Sequence, residues 1–269
     1  MSQRLWLIGG TQESRQIIEQ VYILRGDRVP LRAAIITVTT AAARSLYPTS
    51  PNWQVWVGRL TAAMAERFVA RYQIGSILDV SHPFATEISE LAIAIARRHD
   101  LPYLRYERAD CPPQAWRDRQ GRLGLVRLPQ VQAILTDRYL EGETTLLILG
   151  YRLLPQFAAW QQQSGKLYAR ILPSLPALTT ALESGFSPDR LIALRPPLNP
   201  ALETALWQQW QITQVIAKAS GSPGGQDHKQ AIAAQLGIRL IQIERPPVQY
   251  PQQTDCLDTA VRFALRYVT

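Results

Sequence analysis

RLWLIGGTQESRQI, residues 4–17, carries an apolar stretch straight into a glycine pair and then into a helix start. Gly9 and Gly10 permit positive φ and close approach of a ligand, and Thr11 is placed to cap a helix beginning near Glu13. Strand, glycine turn and helix in that order open a βα unit. The amides at such a helix start face the strand's carboxyl end, where phosphate or carboxylate can bind. The third glycine of a G-x-G-x-x-G turn is absent, so spacing alone allows both a ligand-binding turn and a plain strand-to-helix turn.

The same unit repeats along the chain. Strands are expected at RLWLI from 4, AAIITV from 33, SILDV from 76 and PYLRY from 102, with helices from near Glu13, Thr61 and Phe84. FATEISELAIAIARRH, residues 84–99, puts Ile88, Leu91, Ala92 and Ile95 on one stripe and closes on Arg97, Arg98 and His99, where cations suit the helix dipole. ADCPPQAWRDRQGRLG, 109–124, breaks the rhythm and reads as a linker. Strands then resume at TTLLILG (144), KLYARIL (166), RLIALR (190), ITQVIAK (212) and IRLIQIE (238), with helices near 153, 174, 200, 225 and 255. The pattern predicts an α/β fold of two Rossmann-like domains, residues 1–120 and 121–269, each a parallel sheet flanked by helices, with a ligand cleft between them.

The chain has 269 residues, 46% hydrophobic and 19% charged, without an apolar run of membrane-spanning length or a secretory leader pattern. A cytoplasmic protein is expected. Cys111 and Cys256 are too few for a disulfide framework, and neither they nor His82, His99 and His228 have metal-site spacing, so no metal is expected. A net charge of +8 favours an acidic partner. The arginines form no dense basic block and no aromatic-interleaved motif, which points to a small polyanion rather than to nucleic acid or a membrane.

Two further segments carry chemistry. KASGSPGG, Lys218–Gly225, again follows an apolar strand and precedes a helix; Ser220, Gly221, Gly224 and Gly225 supply amides and a hydroxyl, and Lys218 a charge. It lacks the ending of a P-loop, which argues against nucleotide hydrolysis. It is read as the counterpart, in the second half, of the Gly9–Gly10 turn. LDVSHPFATEIS, 78–89, sets His82 at a strand's carboxyl end, with Pro83 biasing it towards an extended conformation. His82 is open to a structural reading as well as to a catalytic one.

LIGGTQES, VGRL (57), LDVSHPFATEIS, LPYLRYER (101), LILGYRLLPQF (147) and AKASGSPGGQDHKQAIAAQLGIRLIQIERP, in that order, resemble the precorrin-6A reductase family of cobalamin biosynthesis over residues 4–247. The most specific pieces are Asp79–Ala85 (D-x-[ST]-H-P-[FY]-A) and the late K-x-S-G…GG segment. The resemblance implies NADPH-dependent reduction of a ring double bond of precorrin-6A, or of its cobalt-bearing counterpart, to the 6B form, with a polycarboxylate tetrapyrrole as substrate. It places Gly9, Gly10, Thr11, Ser220, Gly221, Gly224 and Gly225 at the cofactor. Thr39, Arg44 and Ser45, after the second strand, are where the extra phosphate of NADPH would be read.

His82, Ser81 and Lys218 are the candidates for proton delivery. His82 leads because an unperturbed imidazole titrates near ~6.5. Arg15, Arg59 and Arg152, with Pro83 and Phe84, are candidates for the substrate, and Arg105 and Arg170 are further cations near element ends. The chain departs from the family's habit at Tyr151, Ala219, His228 and the RPPL segment 195–198, where relatives tend to have arginine, an acid or amide, glutamate and a Gly-Pro turn. The competing readings are another NAD(P)-dependent α/β oxidoreductase and a non-catalytic polyanion- or tetrapyrrole-binding protein.

Overall fold

The computed structural model describes residues 3–25, 33–135 and 137–268. The chain forms two units, one of residues 1–109 with 246–269 and one of 110–245. The single boundary expected at 120/121 is thus replaced by two, because the last segment returns to the first unit.

In the first unit the elements run β1 (Arg4–Ile8), α1 (Gln12–Arg25), β2 (Ala34–Val38), α2 (Ala41–Arg44), β3 (Trp53–Val57), α3 (Ala62–Tyr72), β4 (Ile74–Asp79), α4 (Thr86–Arg98) and β5 (Tyr103–Tyr106). The second unit follows with β6 (Leu125–Leu128), α5 (Asp137–Leu140), β7 (Thr145–Ile148), α6 (Ala158–Ser164), β8 (Leu167–Ile171), α7 (Leu175–Glu183), β9 (Leu191–Ala193), α8 (Pro200–Gln209), β10 (Gln214–Lys218), α9 (Gln226–Leu236) and β11 (Arg239–Ile243). The chain then completes the first unit with β12 (Gln253–Thr254) and α10 (Leu257–Tyr267).

Each unit holds one six-stranded sheet, in the orders β12-β5-β4-β1-β2-β3 and β6-β11-β10-β7-β8-β9. Every neighbouring pair is parallel. Counted from β1 and from β7, both sheets follow one path, third-second-first-fourth-fifth. Only the sixth place differs: the chain's end fills it in the first unit, and the strand before β7 fills it in the second.

Parallel strands covered on both faces must be apolar on both, and β2, β4 and β11 are buried throughout. Alternate residues of β1 serve opposite sides. Leu5 and Leu7 join Ile17, Leu78 and α10's Ala260 and Ala264, while Trp6 and Ile8 join Phe68, Ile77 and Ile93. Arg25 ties α1 to α10 by donating from Nη2 to the Leu265 carbonyl at 2.6 Å. The second unit packs Leu146, Val215 and Leu240 under Trp207 and Ile232. Among the described residues no helix is long and apolar enough to cross a membrane, and no three His, Cys, Asp or Glu side chains group as metal ligands.

Candidate functional site

In a sheet of this path the strand order reverses between the first and fourth strands, and the loops at their carboxyl ends frame the crevice where ligands bind. In the first unit those loops are Gly9–Thr11 and Val80–Ala85. In the second they are Leu149–Tyr151 and Ala219–Gly225. KASGSPGG therefore answers to the histidine segment and not to Gly9–Gly10, whose counterpart is Gly150 (φ +82°). The expected equivalence of the two glycine loops fails because β10 stands fourth, not first, in its sheet.

The Gly9–Thr11 turn closes on the protein itself. The Gly9 amide donates to the Thr37 carbonyl, the Gly10 amide to the Tyr47 hydroxyl at 2.8 Å, and the Thr11 amide to Ser14 Oγ at 3.2 Å. Thr11 Oγ1 accepts from the Ser14 amide and donates to the Val80 carbonyl at 2.8 Å, so the α1 cap also fastens this turn to the end of β4. A methyl at Gly9 would overlap the Tyr47 hydroxyl, and Gly10, at φ +96° with open space beside it, needs glycine for its backbone alone. The first turn of α1 carries Glu13, buried and forked to Arg108 (Nε–Oε1 2.9 Å).

Thr39, Arg44 and Ser45 stand exposed at the carboxyl end of β2. An exposed guanidinium with two hydroxyls beside an open glycine suits a phosphorylated nucleotide. The three committed turn amides do not offer the pyrophosphate grip of a standard dinucleotide turn.

The histidine segment rests on a buried polar cluster. Asp79 and Arg105 are register partners in β4 and β5, and both are fully buried. Asp79 Oδ1 accepts from Arg105 Nη1 (2.8 Å) and the Ser81 amide (3.0 Å); Oδ2 accepts from Ser89 Oγ (2.6 Å) and Tyr103 OH (2.9 Å). Arg105 Nη1 also donates to Ser81 Oγ at 2.8 Å, its Nε and Nη2 fork to Glu107, and its guanidinium lies 5.2 Å from the Tyr250 ring centre.

Burial pulls the Arg105 pKa down, but Asp79 and Glu107 together outweigh it and the net shift is upward. Burial, then the Asp79 charge, pushes the Tyr103 phenol up, which keeps it a donor. Above this cluster His82 is exposed, and its Nδ1 accepts from the Phe84 amide at 3.2 Å, with the two rings 5.9 Å apart. That bond assigns the proton of the neutral ring to Nε2.

In the second unit the late glycine loop is also self-satisfied. The Gly221 amide donates to Gln226 Oε1, the Gly224 amide to the Gly221 carbonyl and the Gly225 amide to the Ser222 carbonyl, while Ser220 Oγ donates to the Gly224 carbonyl. Lys229, buried in α9, donates to the Gly224 and Gly225 carbonyls at 2.8 and 2.9 Å. Lys218 is half-buried at the end of β10; burial first, and Arg152 second, lower its pKa.

Of the other cations, Arg15 pairs with Glu19 on α1, and Arg59 lies 3.8 Å from Glu87. Arg152 stacks on Tyr151, with the guanidinium carbon 5.6 Å from the ring centre. Arg105 and Arg170, the further cations near element ends, do not face a ligand crevice with free charge. Each is committed to a carboxylate inside its own unit, Arg170 to Glu203 at 2.6 Å. Asp79 stood in the quoted histidine motif without a role, and Tyr47 was not foreseen. The signal for the first was an acid ending one apolar strand and an arginine inside the next; Tyr47 left none.

Burial lowers the Lys229 pKa to about 8, with Arg170 adding to the shift. Its unfolded value is near 10.5, so between these values the unfolded chain holds the extra proton and stability rises with pH. The stability of wild type relative to Lys229→Met is expected to rise by up to about 3 kcal/mol across that window, measured by urea unfolding at a series of pH values. A gap that does not move with pH would show that the amine is not buried in its charged form.

The family model described as precorrin-6x reductase CbiJ/CobK matches residues 4–264. A cobalt-precorrin-6A reductase from Synechocystis sp. is 42% identical over 98% of this chain and 97% of its own length. Another of that name, from Priestia megaterium, is 30% identical over 91% of each. A solved structure titled CobK precorrin-6A reductase superposes with a TM-score of 0.74 at 21% identity, covering 98% of this chain and 97% of that one.

Proposed function

The chain belongs to the precorrin-6x reductase CbiJ/CobK family, and from that premise we propose that it reduces one ring double bond of cobalt-precorrin-6A to the 6B form with NADPH. The near-full-length likeness to cobalt-precorrin-6A reductases carries the reaction and favours the cobalt-bearing substrate. NADPH, when bound, supplies the hydride.

The chain's own residues bind and orient the reactants. Thr39, Arg44 and Ser45 hold the cofactor's extra phosphate, beside the wall formed by Gly9, Gly10 and Thr11. His82 delivers the proton as the imidazolium, which it becomes by taking a proton from solvent, and returns to the neutral ring whose Nδ1 accepts from the Phe84 amide. Ser81, whose hydroxyl accepts from Arg105, fixes the turn rather than delivering the proton. Lys218 and Arg152 form a cationic pair for substrate carboxylates, with Arg15 and Arg59 as further anion contacts, and the half-buried Phe84 offers an apolar contact to the macrocycle, whereas Pro83, expected beside it, is buried and only shapes the turn. Ser220, Gly221, Gly224 and Gly225 shape the second crevice. The reaction is read as cytoplasmic, in line with an exposed Cys256 that suits a reducing compartment.

The test is anaerobic NADPH oxidation with cobalt-precorrin-6A and precorrin-6A offered separately. Turnover of the cobalt form is the expected result. Turnover of the metal-free form alone reverses the substrate choice, and turnover of neither by folded protein sinks the proposal.

A further inference from the structure

A four-residue helix does not hold its own shape in water. None of the residues of α2 is fully buried; Thr40 Oγ1 accepts from the Ala43 amide at 3.1 Å, Ser45 Oγ donates to the Ala42 carbonyl at 2.8 Å, and Ala43 with Leu46 rests on the first unit's core. The segment that presents Thr39, Arg44 and Ser45 takes its position from its anchors. Ala43 and Leu46 supply apolar packing, and the polar anchor is Tyr47, 6% exposed, three residues beyond the helix.

The hydrogen bonds around Tyr47 have a determined sense. Ser14 Oγ has one proton, and it goes to the Thr11 carbonyl at 2.6 Å. In the 2.5 Å contact between Ser14 Oγ and the Tyr47 hydroxyl, tyrosine is therefore the donor, while its oxygen accepts from the Gly10 amide. Burial raises the phenol's pKa, so the donor persists at neutral pH. Gly9 lacks the methyl that would fill the hydroxyl's place. One hydroxyl thus joins the β2 loop to the β1 turn.

We propose that Tyr47 is a positioning residue for cofactor choice: through Gly10 and Ser14 it sets the distance between the glycine turn and the Thr39, Arg44 and Ser45 side chains that select the phosphorylated nucleotide. The inference rests on NADPH being the reductant. Removing the hydroxyl then loosens the phosphate readers without touching the reacting atoms.

The experiment is fluorescence titration of the full chain with NADPH and with NADH, for wild type, Tyr47→Phe and Ser14→Ala, which removes the acceptor of the tyrosine proton. Wild type is expected to prefer NADPH. In Tyr47→Phe the NADPH Kd rises about tenfold and the NADH Kd stays within about twofold, with KM raised and kcat at saturating NADPH kept. Ser14→Ala shifts the ratio the same way.

An unchanged NADPH/NADH ratio in folded Tyr47→Phe overturns the assignment, as does an equal loss for both nucleotides. Should both variants fail to fold, hydrogen exchange of wild type decides: residues 39–47 must slow more with NADPH than with NADH, and equal slowing overturns it. Wild type that binds neither nucleotide takes down the cofactor reading itself, and the inference with it. Wild type that binds NADPH beside an unaltered Tyr47→Phe takes down the inference alone.

Discussion

His82→Ala is expected to lower kcat about a hundredfold to a thousandfold while NADPH affinity stays within about twofold, since a positioned proton donor contributes on that scale and His82 stands apart from the phosphate readers. The split between kcat and binding follows from geometry. The ring is exposed at the carboxyl end of β4, where it can take a proton from solvent, deliver it as the imidazolium and return to the neutral ring whose Nδ1 accepts from the Phe84 amide. His82→Gln preserves size and polarity but its amide cannot act as a proton donor of this kind, so it should be nearly as slow as alanine. The solvent deuterium isotope effect on kcat should rise in both variants as proton delivery becomes limiting. Wild-type kcat in either variant would move proton delivery to Lys218 or to water.

The pattern of apolar runs and glycine turns foretold nine of the strands near their observed places, because parallel strands buried on both faces are short unbroken apolar runs. The strands it did not foretell are edge or near-edge ones. WQVWV at β3 is only half-buried and its apolar run is broken by Gln54; Leu125–Leu128 lies directly against a polar, proline-rich tract; and β12 is a two-residue pairing. Pairing partners supplied by distant chain are invisible to a local pattern. For the same reason the helix expected near 255 forms, but on the first unit. Chain order likewise concealed that the late glycine loop follows a fourth strand.

The position of a candidate site was legible where it sits at a strand's end next to a breaker, as at Gly9–Gly10 after β1 and His82–Pro83 after β4. It was illegible where it depends on two strands lying side by side. Arg105 read from sequence as one more surface cation near a strand end. Only the register that sets it opposite Asp79 turns it into the centre of a buried cluster. The duplicated sheet path sharpens the contrast between the units: one crevice is framed by an exposed imidazole, the other by a half-buried amine beside an arginine. A proton donor and a carboxylate clamp are different tasks, and the two loops carry residues suited to each.

Arg105→Met is expected to destabilise the first unit by about 3–5 kcal/mol, because it removes the cation and leaves the Asp79 carboxylate buried and uncompensated. Asp79→Asn should cost less. The asparagine oxygen can keep the Ser81 amide, and its NH₂ can face Ser89 and Tyr103, whose hydroxyls rotate to accept. The informative quantity is the double variant. If the loss in Arg105→Met comes from a stranded charge, neutralising Asp79 in that background removes the cause, and the double variant should be more stable than Arg105→Met alone. A coupling of about 1–3 kcal/mol is expected. Exchange of the β4 and β5 amides reads this in the first unit itself, without assuming that both units unfold together. Strict additivity of the two losses would mean that Arg105 acts through its packing on Tyr250 and its fork to Glu107 rather than through Asp79.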